Sequence, residues 1–182
     1  MATPQLRSAT GKIRLEVVTP TGMALGELVD EFAAPSVQGE FGVLPGHLPL
    51  MAALRTGLMS YRKGQDTTQC AVGPGFVEVA DDHAVLLTDR FSTKESIDVV
   101  RTRMRLKEID EELDKFAGEP GSPQHQELIA DEQWQACLLT LFGDPPPPTI
   151  RTFEPYDKTA KKKAEESVET TSDQAQADEA HK

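Results

Sequence analysis

The stretch GEFGVLPGHLPLMAAL, residues 39–54, holds three glycines, two prolines and a histidine ahead of an apolar run. Glycine adopts backbone conformations with positive φ easily, and we expect Gly39, Gly42 and Gly46 to use that freedom. The prolines fix φ and donate no hydrogen bond to a neighbouring strand. The stretch therefore predicts a stiff loop of defined shape at a sheet edge, followed by a strand.

This loop does not match the known phosphate-binding patterns. No Lys followed by Ser or Thr comes after its last glycine, as GxxxxGK[ST] requires, and no GxGxxG opens a helix here. His47 has no partner in a GxSxG or comparable nucleophile pattern, so a solvated or locally bonded histidine is favoured over a catalytic base. An enzyme built around His47 is the least favoured of the functional hypotheses.

Outward from the loop, residues 13–91 consist of short apolar or alternating runs separated by turn residues. In IRLEVVTP, residues 13–20, apolar side chains alternate with charged ones, which predicts a strand with one apolar face. ELVDEFAAP, residues 27–35, is interpreted as one further strand. Seven to nine such strands predict a small antiparallel β-sandwich.

The hydrophobic period changes at Ser92 or Thr93, where the sequence S-T-K-E predicts a capping box and the start of an amphipathic helix. GEPGSP, residues 118–123, must break this helix, and a second helix is expected from Gln124 to Gly143. The region 92–143 is thus predicted to be a helical hairpin.

The second helix carries an apolar stripe formed by Trp134, Leu138 and Leu141. We expect this stripe to pack the second helix on the first, as such stripes commonly do.

The two ends of the chain are predicted to lack a packed core. Residues 1–12 are interpreted as a flexible N-terminus, and residues 144–182 as a proline-rich, acidic, disordered tail, because so few apolar groups cannot offset the entropy of ordering. The predicted fold class is α+β: an N-terminal antiparallel β-sandwich, a C-terminal α-helical hairpin and this tail.

Composition excludes several functional classes. Asp and Glu outnumber Lys and Arg by 30 to 19, and a net charge of -11 argues against nucleic acid as a partner. The four histidines show no HxH or HExxH spacing, so no metal site is predicted. The longest apolar runs fall short of the ~20 residues of a membrane span, and no signal or transit peptide is recognised.

Cys70 and Cys137 lie far apart and form no CxxC pair. Two reduced thiols in a cytoplasm-like compartment are the favoured interpretation, with a single disulfide as the alternative.

Five motifs follow one another between residues 17 and 89: VVTPTG (17–22), VDEFAAPSVQGEFGVLPGHLPLMAAL (29–54), GLMSY (57–61), GPGFVEV (73–79) and VLLTD (85–89). With this ordered set the chain resembles the epsilon subunit of F-type ATP synthases. The resemblance implies a non-catalytic subunit of the central stalk, the rotor, which couples ion-driven ring rotation to ATP synthesis in a proton-transporting enzyme.

The resemblance also implies partners and contact residues. Gln38, Gly39, Glu40 and Phe41 are expected to touch the membrane rotor ring, the c-ring. His47 and Ala52 are expected to touch the gamma subunit, and the hairpin to reach the catalytic beta and alpha subunits and restrain ATP hydrolysis. The implied location is the cytoplasmic face of the bacterial plasma membrane, where the chain is peripheral and reaches the membrane only through the complex.

The start of the hairpin resembles a nucleotide motif found in some members of the family. I97-D98-V99-V100-R101-T102 fits I/L-D-x-x-R-A except that Thr102 replaces alanine. Asp98 and Arg101 are therefore candidate contacts to a regulatory ATP, no other cofactor is expected, and a nucleotide-sensing module is the alternative function. The competing interpretation is a solvated i, i+3 pair worth ~0.2–0.5 kcal/mol.

Charge along the hairpin leaves two further alternatives open. The second helix has no Lys or Arg, unlike the family's ATP binders and inhibitory arms, whereas the first helix is basic in its first half and acidic in its second. The basic half suits either an acidic partner or plain exposure to solvent.

Overall fold

The computed structural model describes residues 11–146. Ten strands are followed by a short 3₁₀ turn, Lys94–Ser96, and by two helices. The strands are β1 (Ile13–Thr19), β2 (Gly22–Val29), β3 (Glu31–Ser36), β4 (Gly39–Val43), β5 (Leu50–Leu54), β6 (Gly57–Lys63), β7 (Asp66–Val72), β8 (Gly75–Ala80), β9 (His83–Thr88) and β10 (Phe91–Thr93). The helices are α1 (Val99–Asp114) and α2 (Pro123–Phe142).

The strands form one continuous hydrogen-bonded sheet in the order β10-β7-β6-β3-β5-β8-β9-β1-β2, with β4 paired to β3. The sheet folds over on itself as a sandwich, and an ion pair of 2.8 Å between Lys63 Nζ and Glu27 Oε2 joins β6 to the last strand, β2. Alternate side chains of the strands meet in one core that includes Leu15, Phe32 and Met59. The predicted α+β class, a β-sandwich followed by a helical hairpin, is confirmed.

Two details of the sandwich differ from the prediction. ELVDEFAAP is divided between β2 and β3 at Asp30, whose carboxylate accepts hydrogen bonds from Lys12 Nζ and the Gly64 N–H, both at 2.6 Å. These contacts hold the chain in a bend between the two strands, so the strand count is ten among residues 11–146. The pairing is antiparallel except between β1 and β9, which run parallel with Val17 opposite Leu86.

The first helix begins later than predicted. The polar side chains after Phe91 close a 3₁₀ turn instead, with Ser96 Oγ accepting from the Thr93 N–H at 3.2 Å. Ile97 is extended, and Asp98 caps the N-terminus of α1 by accepting from the Arg101 N–H at 3.0 Å. The predicted start at Ser92 or Thr93 is therefore wrong, because a second set of capping groups lies five residues further along.

The hairpin lies against the sandwich through α2. Cys137 and Leu141 are buried with Ala71 of β7, and Leu58, Trp134 and Leu138 pack around them. The prediction that the Trp134 stripe packs on α1 is wrong, since the stripe faces β6 and β7. Helix α1 contacts the other side of α2 through residues such as Ile109, which is fully buried.

The predicted tails fall almost entirely outside the described residues, which leave out 1–10 and 147–182. Lys12, assigned to the N-terminal tail, binds Asp30. Asp144, assigned to the C-terminal tail, forms an ion pair with Arg103 of α1.

Candidate functional site

The β3–β4 hairpin ends in a two-residue turn that presents polar groups to solvent. Ser36 pairs with Gly39 across the hairpin, and Ser36 Oγ donates to the Gly39 carbonyl at 2.7 Å and accepts from the Gln38 N–H at 3.1 Å. Gly39 has a φ of 124°, a conformation that side chains disfavour. The turn therefore has a fixed shape, supported by its own hydrogen bonds.

Three of the four predicted ring-contact residues are at this turn. Gln38, Gly39 and Glu40 are exposed, whereas Phe41 is half-buried and meets Phe32 edge to face at 6.3 Å between ring centroids. Phe41 thus anchors β4 on the core, and Val37, 65% exposed, is the apolar residue at the tip. Val37 was not among the predicted ring-contact residues, because the prediction rested on the polar and glycine residues that follow it.

The next loop, residues 44–49, is tied to the opposite end of the sandwich. Gly46 has a φ of 80°, and its N–H donates to Asp82 Oδ1 in the tight turn between β8 and β9. Of the three glycines expected at positive φ, Gly39 and Gly46 adopt it and Gly42 does not, because Gly42 lies inside β4.

The two predicted gamma-contact residues are both half-buried. His47 is half-buried, with Nδ1 2.7 Å from the Leu48 carbonyl oxygen. Ala52 is half-buried and packs against the core on the inner face of β5. The neighbours of Ala52, Met51 and Ala53, point to the outer face.

The outer face of five adjacent strands carries a continuous row of apolar side chains. Ala53 pairs with Phe76, Phe76 with Leu87, Leu87 with Val18, and Val18 with Met23. Directly opposite residues on one face of neighbouring strands have Cβ atoms about 4.5–5.5 Å apart, so each of these side chains is in contact range of the next. We call this set, Ala53, Phe76, Leu87, Val18 and Met23, the apolar row.

Three members of the apolar row are large and exposed, while Val18 and Ala53 are half-buried. Phe76 is 62% exposed, Leu87 54% and Met23 65%. A row of this extent is typical of a protein-binding surface, since isolated exposed apolar residues are common but contiguous ones are not. The row was missed in the sequence because it exists only through strand pairing, and no single run of residues contains it.

Charged groups border the apolar row on one side. Glu16 accepts from Arg14 Nε at 2.8 Å and lies 3.2 Å from His83 Nε2. The nearby imidazole of His83, together with Arg14, lowers the pKa of the Glu16 carboxyl below its ordinary value. The border is therefore polar, with a carboxylate paired to Arg14, and a polar rim is typical of protein interfaces.

The predicted nucleotide residues lie on an open groove of about 740 Å³ beside α1. Ser92, Ser96, Arg101, Arg105 and Gln135 are among its lining residues. Asp98 also lines it, but its carboxylate is engaged as the α1 cap by the backbone of Arg101 rather than by the guanidinium. The structure thus brings Asp98 and Arg101 together on one groove without an ion pair between their side chains.

Other expected features can be placed as well. Cys70 and Cys137 are free and buried, and burial raises the pKa of each thiol to about 11. Within residues 11–146 no group of three or more His, Cys, Asp or Glu side chains is placed to hold a metal ion. No helix in the same range is long and apolar enough to cross a membrane.

Comparison with known proteins gives the family. Residues 12–94 match the model described as ATP synthase, Delta/Epsilon chain, beta-sandwich domain. The "ATP synthase epsilon chain 2" of Syntrophotalea carbinolica is 46% identical over 132 residues, which cover 72% of this chain and 94% of that protein. The chain belongs to the ATP synthase epsilon family.

Two further similarities fit this family assignment. The "ATP synthase epsilon chain" of an Anaeromyxobacter species is 37% identical over 131 residues, which cover 72% of this chain and 98% of that protein. A chain in the cryo-EM structure of the Euglena gracilis mitochondrial ATP synthase, OSCP/F1/c-ring, has a TM-score of 0.61 at 21% identity and covers 71% of this chain and 81% of its own length. At that identity the structural match supports the fold only.

Each of the two alignments covers nearly the whole length of its epsilon chain. Each leaves more than a quarter of this chain unmatched. The chain is therefore an epsilon subunit with additional sequence. As a member of this family it is a subunit of the ATP synthase complex.

Proposed function

We propose that the chain is a non-catalytic rotor subunit of the central stalk, which couples rotation of the c-ring to ATP synthesis in the catalytic head. The single observation that carries this proposal is the exposed apolar row on this chain, which belongs to the epsilon family. A subunit that transmits torque needs a broad contact with the shaft and a second, rigid contact with the ring. The apolar row suits the first contact and the hydrogen-bonded β3–β4 turn suits the second.

For the gamma subunit we propose the apolar row as the central contact, in place of the inward-facing Ala52. Large side chains at the centre of an interface dominate its energy, and Phe76 is the largest in the row. His47, in the loop that precedes β5, is proposed to lie at the edge of the same contact. For the c-ring we propose Gln38, Gly39 and Glu40, with Val37 added from the structure.

The test is binding of the full chain to purified gamma subunit and to detergent-solubilised c-ring. Phe76→Glu should weaken gamma binding by ~2 kcal/mol or more, which is about 30-fold, because a carboxylate would be buried in an apolar contact. Val37→Glu is the matched control, since Val37 is 65% exposed at the β3–β4 turn, outside the apolar row. Equal loss in both variants, or none in either, would contradict the proposed gamma surface.

The ring contact is tested separately with Glu40→Lys. We expect weaker binding to the c-ring and unchanged binding to gamma, because Glu40 lies at the β3–β4 turn and is not part of the apolar row. If the wild-type chain binds neither partner, the rotor assignment itself fails.

We further propose that the hairpin contacts the catalytic beta and alpha subunits and restrains ATP hydrolysis when it leaves the sandwich. The complex would then act at the cytoplasmic face of a bacterial plasma membrane, with this chain peripheral. Support comes from the limited set of contacts that hold α2 on β6 and β7. Deleting residues 94–182 should raise the ATP hydrolysis rate of the reconstituted complex, and an unchanged rate would refute a restraining role.

A second candidate function is nucleotide sensing at the α1 groove. Arg101 supplies positive charge, and the hydroxyl groups of Ser92 and Ser96 supply hydrogen bonds, as a triphosphate requires. Calorimetric titration of the full chain with MgATP should show saturable binding that Arg101→Gln reduces. Arg55→Gln, at an exposed arginine outside this groove, serves as control, and absence of binding to the wild-type chain would remove the hypothesis.

A further inference from the structure

The first two turns of α1 present a strip with an apolar centre and a basic border. Val100 and Met104 lie one turn apart and are 70% and 61% exposed. Arg101 lies on one side of them, and Arg103 and Lys107 lie on the other. We call Val100, Arg101, Arg103, Met104 and Lys107 the basic strip.

Part of the positive charge on the basic strip is not neutralised by residues 11–146. Arg101 and Lys107 form no ion pair in that range, whereas Arg105, one position away from Met104, is engaged by Glu108, Glu112 and Asp131. No acidic residue occurs between Val99 and Lys107. The strip therefore attracts an anionic segment and offers it two apolar side chains to pack on.

The chain itself leaves the hairpin at the basic strip. Helix α2 ends at Phe142 with Gly143 as its cap, and the next residue, Asp144, forms an ion pair with Arg103. One carboxylate from beyond α2 therefore already occupies the border of the strip. Whatever follows in the chain starts from this point on the surface of α1.

The remaining sequence contains an acidic segment of matching character. Between Ala164 and His181 there are six carboxylates and no Lys or Arg, and Val168 stands among the first three of these acids, in E-E-S-V-E. We propose that this acidic segment, residues 165–179, docks on the basic strip of α1 in the same molecule. The tail would then mask the one basic surface of the hairpin from other anionic partners.

Geometry permits this contact. Residues 144–165 span up to ~70 Å when fully extended, at ~3.3 Å per residue, while the strip from Arg101 to Lys107 is only ~9 Å long. Attachment at Asp144 also keeps the segment near the strip at an effective concentration on the order of mM, so weak ionic contacts suffice for occupancy. The acidic second half of α1, which includes Glu108 and Glu111, repels the segment and directs it to the first half.

The test is paramagnetic relaxation enhancement in the full chain with a spin label at Ala175→Cys. The two native thiols are buried with pKa values raised to about 11, so labelling at neutral pH is selective for the introduced cysteine. At ~0.01 M salt, where the Debye length is ~30 Å, we expect strong broadening of the amide signals of Val100–Lys107. At ~1 M salt, where it is ~3 Å, most of this broadening should be lost.

Two variants of the full chain separate charge pairing from chance proximity. Replacing the six acids by their amides, from Glu165→Gln to Glu179→Gln, should abolish the broadening, as should the double change Arg101→Gln and Lys107→Gln. The double change Lys12→Gln and Lys63→Gln is the matched control, because it removes two cations from the sandwich, and it should leave the broadening of α1 intact. Broadening that is spread evenly over sandwich and hairpin, or that salt does not affect, would overturn the proposal.

Contact between molecules is distinguished by mixing isotopically labelled chain that carries no spin label with unlabelled chain that carries it. Docking within one molecule predicts no broadening in this mixture. Broadening confined to Val100–Lys107 in the mixture would show that the segment binds a second copy, and would overturn the proposed intramolecular contact. The test does not involve gamma, the c-ring or nucleotide, so its outcome is independent of the proposed function.

Discussion

At the scale of single residues, Gly75 shows how closely two strands approach in this sandwich. A Cβ atom added at Gly75 would lie 1.9 Å from the backbone carbonyl oxygen of Leu87, which belongs to the neighbouring strand β9. The same atom added at Gly42, in β4, would meet nothing within 4 Å. Gly75 is therefore required by packing against backbone, whereas Gly42 is not.

We expect Gly75→Ala to lower the free energy of unfolding by ~3 kcal/mol or more, because a backbone carbonyl cannot move aside as a side-chain end can. Gly42→Ala should change it by less than ~1 kcal/mol. Urea denaturation followed by circular dichroism measures both variants. Equal midpoints for Gly75→Ala and the wild type would mean that β8 and β9 are not paired in this register.

A second prediction at this scale concerns Asp30 in the bend between β2 and β3. The hydrogen bonds from Lys12 and from the Gly64 N–H, together with the charge of Arg62 at 3.9 Å, lower the pKa of the Asp30 carboxyl below its ordinary value of 3.8. A carboxyl with a depressed folded-state pKa stabilises the fold above its unfolded-state pKa, and the stabilisation is lost as pH falls through the lower, folded-state value. Asp30→Asn should therefore destabilise the protein more at neutral pH than in acid below pH 3.8.

The measurement is urea denaturation of the wild type and Asp30→Asn at both pH values. Asp66→Asn provides a control in the neighbouring β6–β7 turn, which contains Gly64, because Asp66 forms no ion pair among residues 11–146. A difference between wild type and Asp30→Asn that is the same at both pH values would show that the carboxylate charge is not what stabilises the bend.

At the scale of elements, one carboxylate on α2 joins three parts of the molecule. Asp131 accepts from Arg90, in the connection between β9 and β10, at 2.6 Å, and lies 3.8 Å from Arg105 of α1. All three side chains are about one-quarter to two-fifths exposed, so the contact is screened by solvent and worth only ~1 kcal/mol. It supplements the apolar contact of α2 with β6 and β7.

The reactivity of the Cys137 thiol reports on that apolar contact, because Cys137 of α2 is buried against Ala71 of β7. Asp131→Asn should raise the rate at which maleimide labels Cys137 by about fivefold, the equivalent of ~1 kcal/mol in the docking of the hairpin. Cys70, within the sandwich core, is the internal reference and should label no faster. Glu127→Gln, an exposed acid on α2, is the control variant, and the same increase there would discount the role of the Asp131 contacts.

The sequence predicted the elements well and their partners less well. The helix-breaking GEPGSP and the cap at Gly143 are local signals, and they gave the second helix to within one residue at each end. The start of α1 depended on a choice between two capping sites, Thr93 and Asp98, which local pattern cannot decide. The apolar stripe at Trp134 shows that a helix has a buried face, but not whether a helix or a sheet covers it.

In the candidate site, too, features formed by contiguous residues were predictable and features formed by strand pairing were not. The β3–β4 turn was predictable because its glycine and polar residues are contiguous in sequence. The apolar row was not, because its five members come from five strands whose order, β5-β8-β9-β1-β2, includes a parallel pair that alternation alone does not predict.

At the scale of the whole molecule, two apolar clusters divide the protein unequally. The larger cluster is formed only by residues of the sandwich strands. The smaller one joins β6 and β7 to α2 and contains residues of both parts. The sandwich is therefore complete without the hairpin, whereas the hairpin depends on the sandwich for one of its two faces.

We accordingly expect a chain that ends at Thr93 to fold cooperatively into the same sandwich. Losing the cover of Leu58 and Ala71 should lower the free energy of unfolding by ~1–2 kcal/mol, and each kcal/mol corresponds to about 4–8 °C in the midpoint of a domain of this size. The isolated residues 94–146 should show little helix, since helices of this length need tertiary contacts in water. Circular dichroism melting of both pieces beside the full chain tests this division. A non-cooperative melt of the first piece would contradict it, because the larger cluster would then need the hairpin. A stable helical melt of the second piece would contradict it as well, because the hairpin would then not need the sandwich.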